Sequence, residues 1–161
     1  MSDADEGGES ACAMPQHGDV VEELTDPALA QLLRDLADAV VIADRAGDVV
    51  LWNGGATRLL GWAEADMVGR PLDTIIPERL RARHNAGLHH TMETGVTKYV
   101  ESMLQVPALH RDGHSVSIAF TVTLMWRPGQ KAPYAIAAVM RDDSERWELA
   151  RAAHRAEAGR D

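Results

Sequence analysis

Cysteine, aromatic side chains and basic residues near the N terminus are what this 161-residue sequence has least of. Its single cysteine, Cys12, lies in an acidic stretch, so no disulfide framework exists and no cysteine-based metal site can be assembled within the chain. That usage fits a reducing compartment, and the expected location is the cytoplasm. No apolar run approaches the roughly 18 residues that a membrane span requires. Residues 1–18 have neither the basic nor the apolar segment of an export signal. Aromatics amount to 4%, with one Phe, so the core must be built from Val, Ile, Leu, Ala and Met. A core that uses methionine in this way is adaptable.

The formal charge of −9 is unevenly placed. Residues 1–27 carry eight of the 25 acidic side chains and no Lys or Arg, which leaves 17 acids against 16 bases, a net of −1, for the remainder. A nearly neutral body with interleaved signs argues against a surface that tracks nucleic-acid phosphates. The hydrophobic content of 45% and the chain length suffice for one well-buried core and are too small for two ordinary domains.

The expected organisation is an acidic disordered tail over 1–24, a folded domain over 25–143 and a terminal helix over 144–161. The tail is too poor in branched apolar residues to offset its ordering entropy. Thr25, Asp26 and Pro27 form a helix start, followed by the apolar face of Leu32, Leu33 and Leu36. Apolar runs over 39–43 and 49–52 flank turn chemistry at 44–48 and predict a hairpin. Short helical pieces follow at 54–60 and 63–68, with a brief segment ending at Pro77. The long helix spans 78–93, started after Pro77 and stopped by Thr94 and Gly95. Strands are expected over 97–109, 115–125 and 134–141, with turns at Arg111-Asp112-Gly113 and Arg127-Pro128-Gly129. An exit helix over 144–158 closes the pattern. Five antiparallel strands with helices gathered on one face make an α+β domain.

In the long helix, steps of four align Leu80, His84, Leu88 and Met92 on one stripe, so an imidazole stands in an otherwise apolar face. A ring nitrogen there needs a partner, which a carbonyl, a water or iron can supply. His89 and His90 are adjacent, share no face and read as solvated. His110 and His114 flank the Asp112-Gly113 turn and are expected to be exposed. Trp52, Trp62, Trp126 and Trp147 read as packing residues, because no basic stripe accompanies them. No Ser-His-acid spacing, phosphate-binding glycine loop or paired carboxylates on one face suggests an enzyme.

The element order and six phrases resemble the PAS domain family. The phrases are Ala43-Asp44-Arg45-Ala46-Gly47, Trp52-Asn53-Gly54-Gly55-Ala56, Leu60-Gly61-Trp62, Val68-Gly69-Arg70-Pro71, Arg111-Asp112-Gly113 and Met140-Arg141-Asp142-Asp143-Ser144-Glu145-Arg146. The resemblance implies a PAS fold, a five-stranded antiparallel sheet with helices on one face and flanking terminal helices. Members sense, dimerise or bind small ligands, so the fold does not name the function. A flavin photoreceptor of the LOV subclass needs a reactive cysteine in a core helix, which this chain lacks.

The stretch from Ile76 to His84 is similar to the haem-binding subgroup, the FixL-type and DOS-type oxygen sensors. That likeness implies haem b with His84 as its axial iron ligand and Leu80 and Leu88 beside it on the stripe. It also implies His90 and Lys98 as basic partners for a haem propionate. Leu104 stands where FixL-type sensors place an oxygen-binding Arg, and Ser102 where the DOS type places a Met. Met103 is one residue off, which on a strand points it to the other face. Leu104, Phe120 and Val122 are therefore expected to form an apolar distal wall, tilting the ligand preference from O2 toward CO or NO, or toward a redox role. The implied protein is a non-enzymatic sensor, working as a homodimer or through a separate effector. The main alternative is a cofactor-free PAS module for dimerisation or protein interaction, and a flavin or small-metabolite domain is a further one.

Overall fold

Two short apolar runs separated by polar turn residues build the first hairpin, β1 (Ala39–Asp44) and β2 (Val49–Trp52). Asp44 organises the turn between them. Its backbone N–H donates to Asp48 O at 2.9 Å, while its Oδ1 accepts from Ala46 N and Asp48 N. This computed structural model describes residues 27–97 and 103–158. The tail expected over 1–24, Lys98 and Ser102 lie outside the described residues.

Before the hairpin runs α1 (Pro27–Asp35), and after it come α2 (Gly54–Leu60), α3 (Glu64–Met67), a 3-10 turn (Leu72–Ile75) and α4 (Glu78–Thr94). The second half is a meander of β3 (Leu104–Leu109), β4 (Ser115–Met125) and β5 (Ala135–Asp142), followed by α5 (Ser144–Ala158). All strand pairs are antiparallel, and the sheet order is β2-β1-β5-β4-β3. The first hairpin thus closes onto the last strand, a long-range pairing that no local signal encodes. β3 is an edge strand, which explains how Pro107 is tolerated within it despite lacking a ladder donor.

Cross-strand registers fix the two faces. Leu104, Phe120, Met140 and Ala39 form one row, and Val122, Ala138, Val41 and Trp52 another. Both rows lie on the inner face, where the larger core cluster joins Val41, Trp52, Ile118 and Met140 of the sheet to Ala56, Leu60, Met67 and Ile75 of the short helical segments. The outer face carries Val40, Ile42 and Val50, covered by Leu33 of α1 and by Leu36. Each fully buried Leu, Val or Met of this kind contributes roughly 1.5–3 kcal/mol.

Asn53 ties the layers together. This buried residue caps α2 by accepting from Ala56 N at 2.9 Å, and the same Oδ1 accepts from Val40 N at 2.8 Å. Its Nδ2 donates to Leu33 O and Asp38 O, both at 2.9 Å. One side chain therefore joins the α2 N terminus, β1 and the end of α1.

The bounds over 49–52, 54–60, 115–125 and 144–158 match the expectation, and others shift by a residue or two. The strand expected from 97 begins only at Leu104; Thr97 and Met103 are outside it. An edge strand is defined by its one partner and not by composition, and here the ladder with β4 starts at Leu104 opposite Phe120.

Candidate functional site

The α4 helix is started after Pro77 and ended by Gly95 in a left-handed cap. Among its 17 residues only Met92 is buried. Leu80, His84 and Leu88 of the expected stripe are half-buried, and Leu88 lies against Gly47 in the β1–β2 turn. Leu80, Leu88 and Leu104 belong to neither core cluster. The helix is thus held at its C-terminal part by Met92 and Leu88, while the stripe around His84 does not merge with the main core.

His84 is held by a short polar relay. Its Nδ1 lies 3.1 Å from Asn85 Oδ1, and Asn85 Nδ2 donates to Asp73 Oδ2 at 3.0 Å. Because the Asn85 amide nitrogen is committed to the carboxylate, its oxygen faces the imidazole, which must then donate from Nδ1. The lone pair is left on Nε2, which has no hydrogen-bond partner among the described residues. This tautomer is the one that a metal-ligating histidine adopts when its other nitrogen is oriented by a hydrogen bond.

On the inner face of the sheet, Val122 is buried and Leu104 and Phe120 are half-buried, with Leu104 opposite Phe120. They present an apolar wall. Met103 is 59% exposed, consistent with its offset by one residue from that face. His90 is exposed, and its carbonyl accepts from Thr94 Oγ1. His89 is exposed and faces Glu93 at 3.1 Å, one turn on. Leu80, His84 and Leu88 thus share one face of α4, and Leu104, Phe120 and Val122 share the inner face of the sheet, as two groups. His90 stands apart from both groups as a solvated side chain.

Three features had escaped the sequence reading. The Asp73–Asn85 link spans twelve positions, and no spacing rule would have found it. The Trp62 indole N–H is buried with no hydrogen-bond partner among the described residues, although the ring packs against the inner core. His110 is not exposed as expected: its side chain is only 23% accessible, because the ring lies flat against Gly61 at the α2 C terminus. Beside α4 an open groove of about 440 Å³ runs past Arg45, Gly47, Leu72, Asp73 and Asn85, so the relay that holds His84 borders on it.

The fold now meets an independent comparison: the family description of the PAS fold matches residues 28–142. The chain belongs to the PAS family. An uncharacterised protein of Azorhizobium caulinodans is 31% identical over 133 residues, covering 82% of this chain and 18% of that protein. The sensor protein FixL of Bradyrhizobium diazoefficiens is 26% identical over 106 residues, covering 66% of this chain and 21% of FixL. The chain thus spans about a fifth of the length of these curated relatives. A PAS domain of a Colwellia psychrerythraea protein superposes with a TM-score of 0.62 at 19% identity, covering 74% of this chain and 97% of that one. An RNA-binding light-oxygen-voltage receptor superposes at 0.66 with 18% identity, covering 91% and 41%. These two likenesses establish the shared fold alone. As a PAS domain, the chain is a sensory and signalling module. No helix among the described residues is long and apolar enough to cross a membrane.

Proposed function

We propose that this PAS domain is a haem-binding sensor with His84 as the axial iron ligand, responding to a diatomic gas or to redox state. The observation that carries the reading is the His84–Asn85–Asp73 relay, which leaves Nε2 as the free basic nitrogen on the half-buried stripe of α4. The donor chemistry fits: a neutral imidazole with an oriented Nδ1–H is a good iron ligand, and the Asn85 oxygen that accepts from Nδ1 raises its basicity. Similarity to the sensor protein FixL supports the same reading.

In this reading Leu80 and Leu88 flank the ligand on α4, and Leu104, Phe120 and Val122 supply the apolar distal wall. When bound, haem b supplies an iron that takes a diatomic ligand or an electron. Leu104 offers no hydrogen bond to such a ligand, so discrimination favours CO or NO over O2. His90, exposed on α4, and Lys98 are the basic residues proposed for the propionates. The sensor is cytoplasmic and non-catalytic, and its signal leaves through the terminal helices to a second copy or a separate effector.

The deciding measurement is the absorption spectrum of the purified protein with added hemin, then dithionite and CO. A sharp Soret band displaced from that of free hemin, which moves again with dithionite and CO and is lost in His84→Ala, is expected. A spectrum that stays that of free hemin rejects the reading.

A second reading, a cofactor-free dimerisation module, is favoured by the apolar side chains that the terminal helices leave exposed. Leu29 and Leu32 of α1 are 46% and 58% exposed, and Trp147 and Leu149 of α5 are 46% and 66% exposed. A colourless dimer that dissociates when α5 is truncated supports it.

A further inference from the structure

At the end of the sheet away from His84, the β3–β4 hairpin turns over five residues, His110 to His114. His110 N–H donates to His114 O at 2.9 Å and Gly113 N–H to His110 O at 2.9 Å, with Gly113 at φ +94°, a value that glycine adopts without strain. His110 and His114 are thus paired across the turn, and their imidazoles stack with centroids 4.4 Å apart and planes 24° from parallel. Asp112, at the tip, folds back so that its Oδ1 meets both rings. It lies 2.9 Å from His110 Nδ1 and in hydrogen-bond contact with His114 Nδ1.

The turn itself does not need this arrangement. Its backbone is closed by the two main-chain bonds and by His114 N–H donating to Asp112 Oδ1 at 3.2 Å. The imidazoles add two more groups converging on that same oxygen. His110 Nδ1 is also the target of Asp112 N–H at 3.3 Å, and a protonated Nδ1 cannot accept that bond while donating to the carboxylate. A His110 Nδ1 that accepts from Asp112 N–H turns a lone pair toward the carboxylate oxygen 2.9 Å away, a contact that a proton or a cation between them relieves.

We propose that His110, Asp112 and His114 form a binding site for a divalent transition-metal ion of the zinc class. Two imidazole nitrogens and one carboxylate oxygen suit Zn2+, Ni2+, Cu2+ or Co2+, and are too nitrogen-rich for Mg2+ or Ca2+. The three donor atoms all lie within 4.8 Å of one another. Metal bonds of about 2.0–2.1 Å in a tetrahedron set donors about 3.3 Å apart, so the His114 ring must turn out of its stack on His110 and the donors shift by up to about 1.5 Å. His114 and Asp112 are exposed and free to move, and water fills the fourth position.

One arm of the site is pre-set. Arg111 N–H donates to Leu60 O at 2.9 Å, and the His110 ring rests on Gly61, where any side chain would collide with it. A bound ion would therefore sit beside the C terminus of α2, with all three of its ligands on the hairpin. This site is separate from His84 and stands whether or not the domain holds haem.

The test is a titration of the full chain, freed of metal by chelator, with Co2+ followed by displacement with Zn2+. The expected result is a saturable one-to-one site with visible Co2+ ligand-field bands that Zn2+ abolishes. Asp112→Ala and His114→Ala, both exposed positions, should each weaken it at least tenfold with unchanged far-UV circular dichroism. His84→Ala and the His89→Ala, His90→Ala pair should leave it intact. Absence of a saturable site, or a site that survives both Asp112→Ala and His114→Ala, overturns the proposal.

Discussion

Asn85 turns its amide oxygen to His84 and its amide nitrogen to Asp73, so the residue next to the candidate ligand fixes which imidazole nitrogen carries the proton. Replacing Asn85 by Ala removes that orientation without touching the core, since the side chain is exposed. Hemin affinity is expected to fall on the order of ten- to a hundredfold, measured by absorbance titration against wild type. Equal affinities would remove Asn85 from the arrangement.

Asn53→Ala strikes the residue that joins α1, β1 and α2. The substitution deletes a helix cap and leaves the Val40 N–H without its side-chain acceptor in the interior. A cap contributes about 1 kcal/mol and an unpaired buried polar group costs about 1–3 kcal/mol. Urea denaturation is expected to show a loss of about 3 kcal/mol. A loss below 1 kcal/mol would mean that neighbouring groups or water replace those bonds.

Trp62→Phe is expected to go the other way. The indole N–H is buried without a partner among the described residues, and Phe keeps an aromatic body against the core while removing that donor. Stability should be unchanged or raised by up to about 1 kcal/mol, the gain from the deleted donor being offset by the smaller ring. A clear loss in thermal midpoint would show that the N–H is satisfied in solution.

Asp112 gives the acid limb of stability a local contribution. Its carboxyl is lowered from 3.8 to about 2 by the His114 backbone N–H and the two imidazoles. A depressed folded-state value means that the contribution is present above pH 3.8 and is lost as pH falls toward 2. In chelator-containing buffer, Asp112→Asn should therefore flatten the fall in denaturation midpoint between those two values. Asp38, lowered by its hydrogen bonds to Arg141 at 2.7 and 3.0 Å, acts in the same direction and remains in the variant.

Trp147 and Leu149 stand exposed on α5, the former under the Arg151 guanidinium at 4.4 Å from the ring centre. If α5 pairs with a second copy, Trp147→Ala with Leu149→Ala should shift sedimentation from dimer toward monomer and leave the circular dichroism of the domain intact. An unchanged distribution would move the dimer contact elsewhere.

Much of this fold was legible from neighbouring residues alone. The 44–48 turn, the Pro77 start and Gly95 stop of α4 and the hairpin turn at Arg111-Asp112-Gly113 each depend on residues a few positions apart, where sterics and turn chemistry act directly. The stripe of Leu80, His84, Leu88 and Met92 was readable for the same reason. Its depth was not: a helix's apolar face does not reveal how closely the sheet approaches it, and only Met92 proves buried.

By itself, then, the sequence determined the kinds and order of elements and the residue types available to a site, because periodicity and turn preference are local properties of the chain. Only the tertiary structure decided that β1 lies beside β5, that Asp73 reaches Asn85 behind His84, and that His110 leaves solvent to rest on Gly61. Those relationships arise where segments distant in sequence compete for one interior, and the best-packed solution is chosen by the whole chain at once.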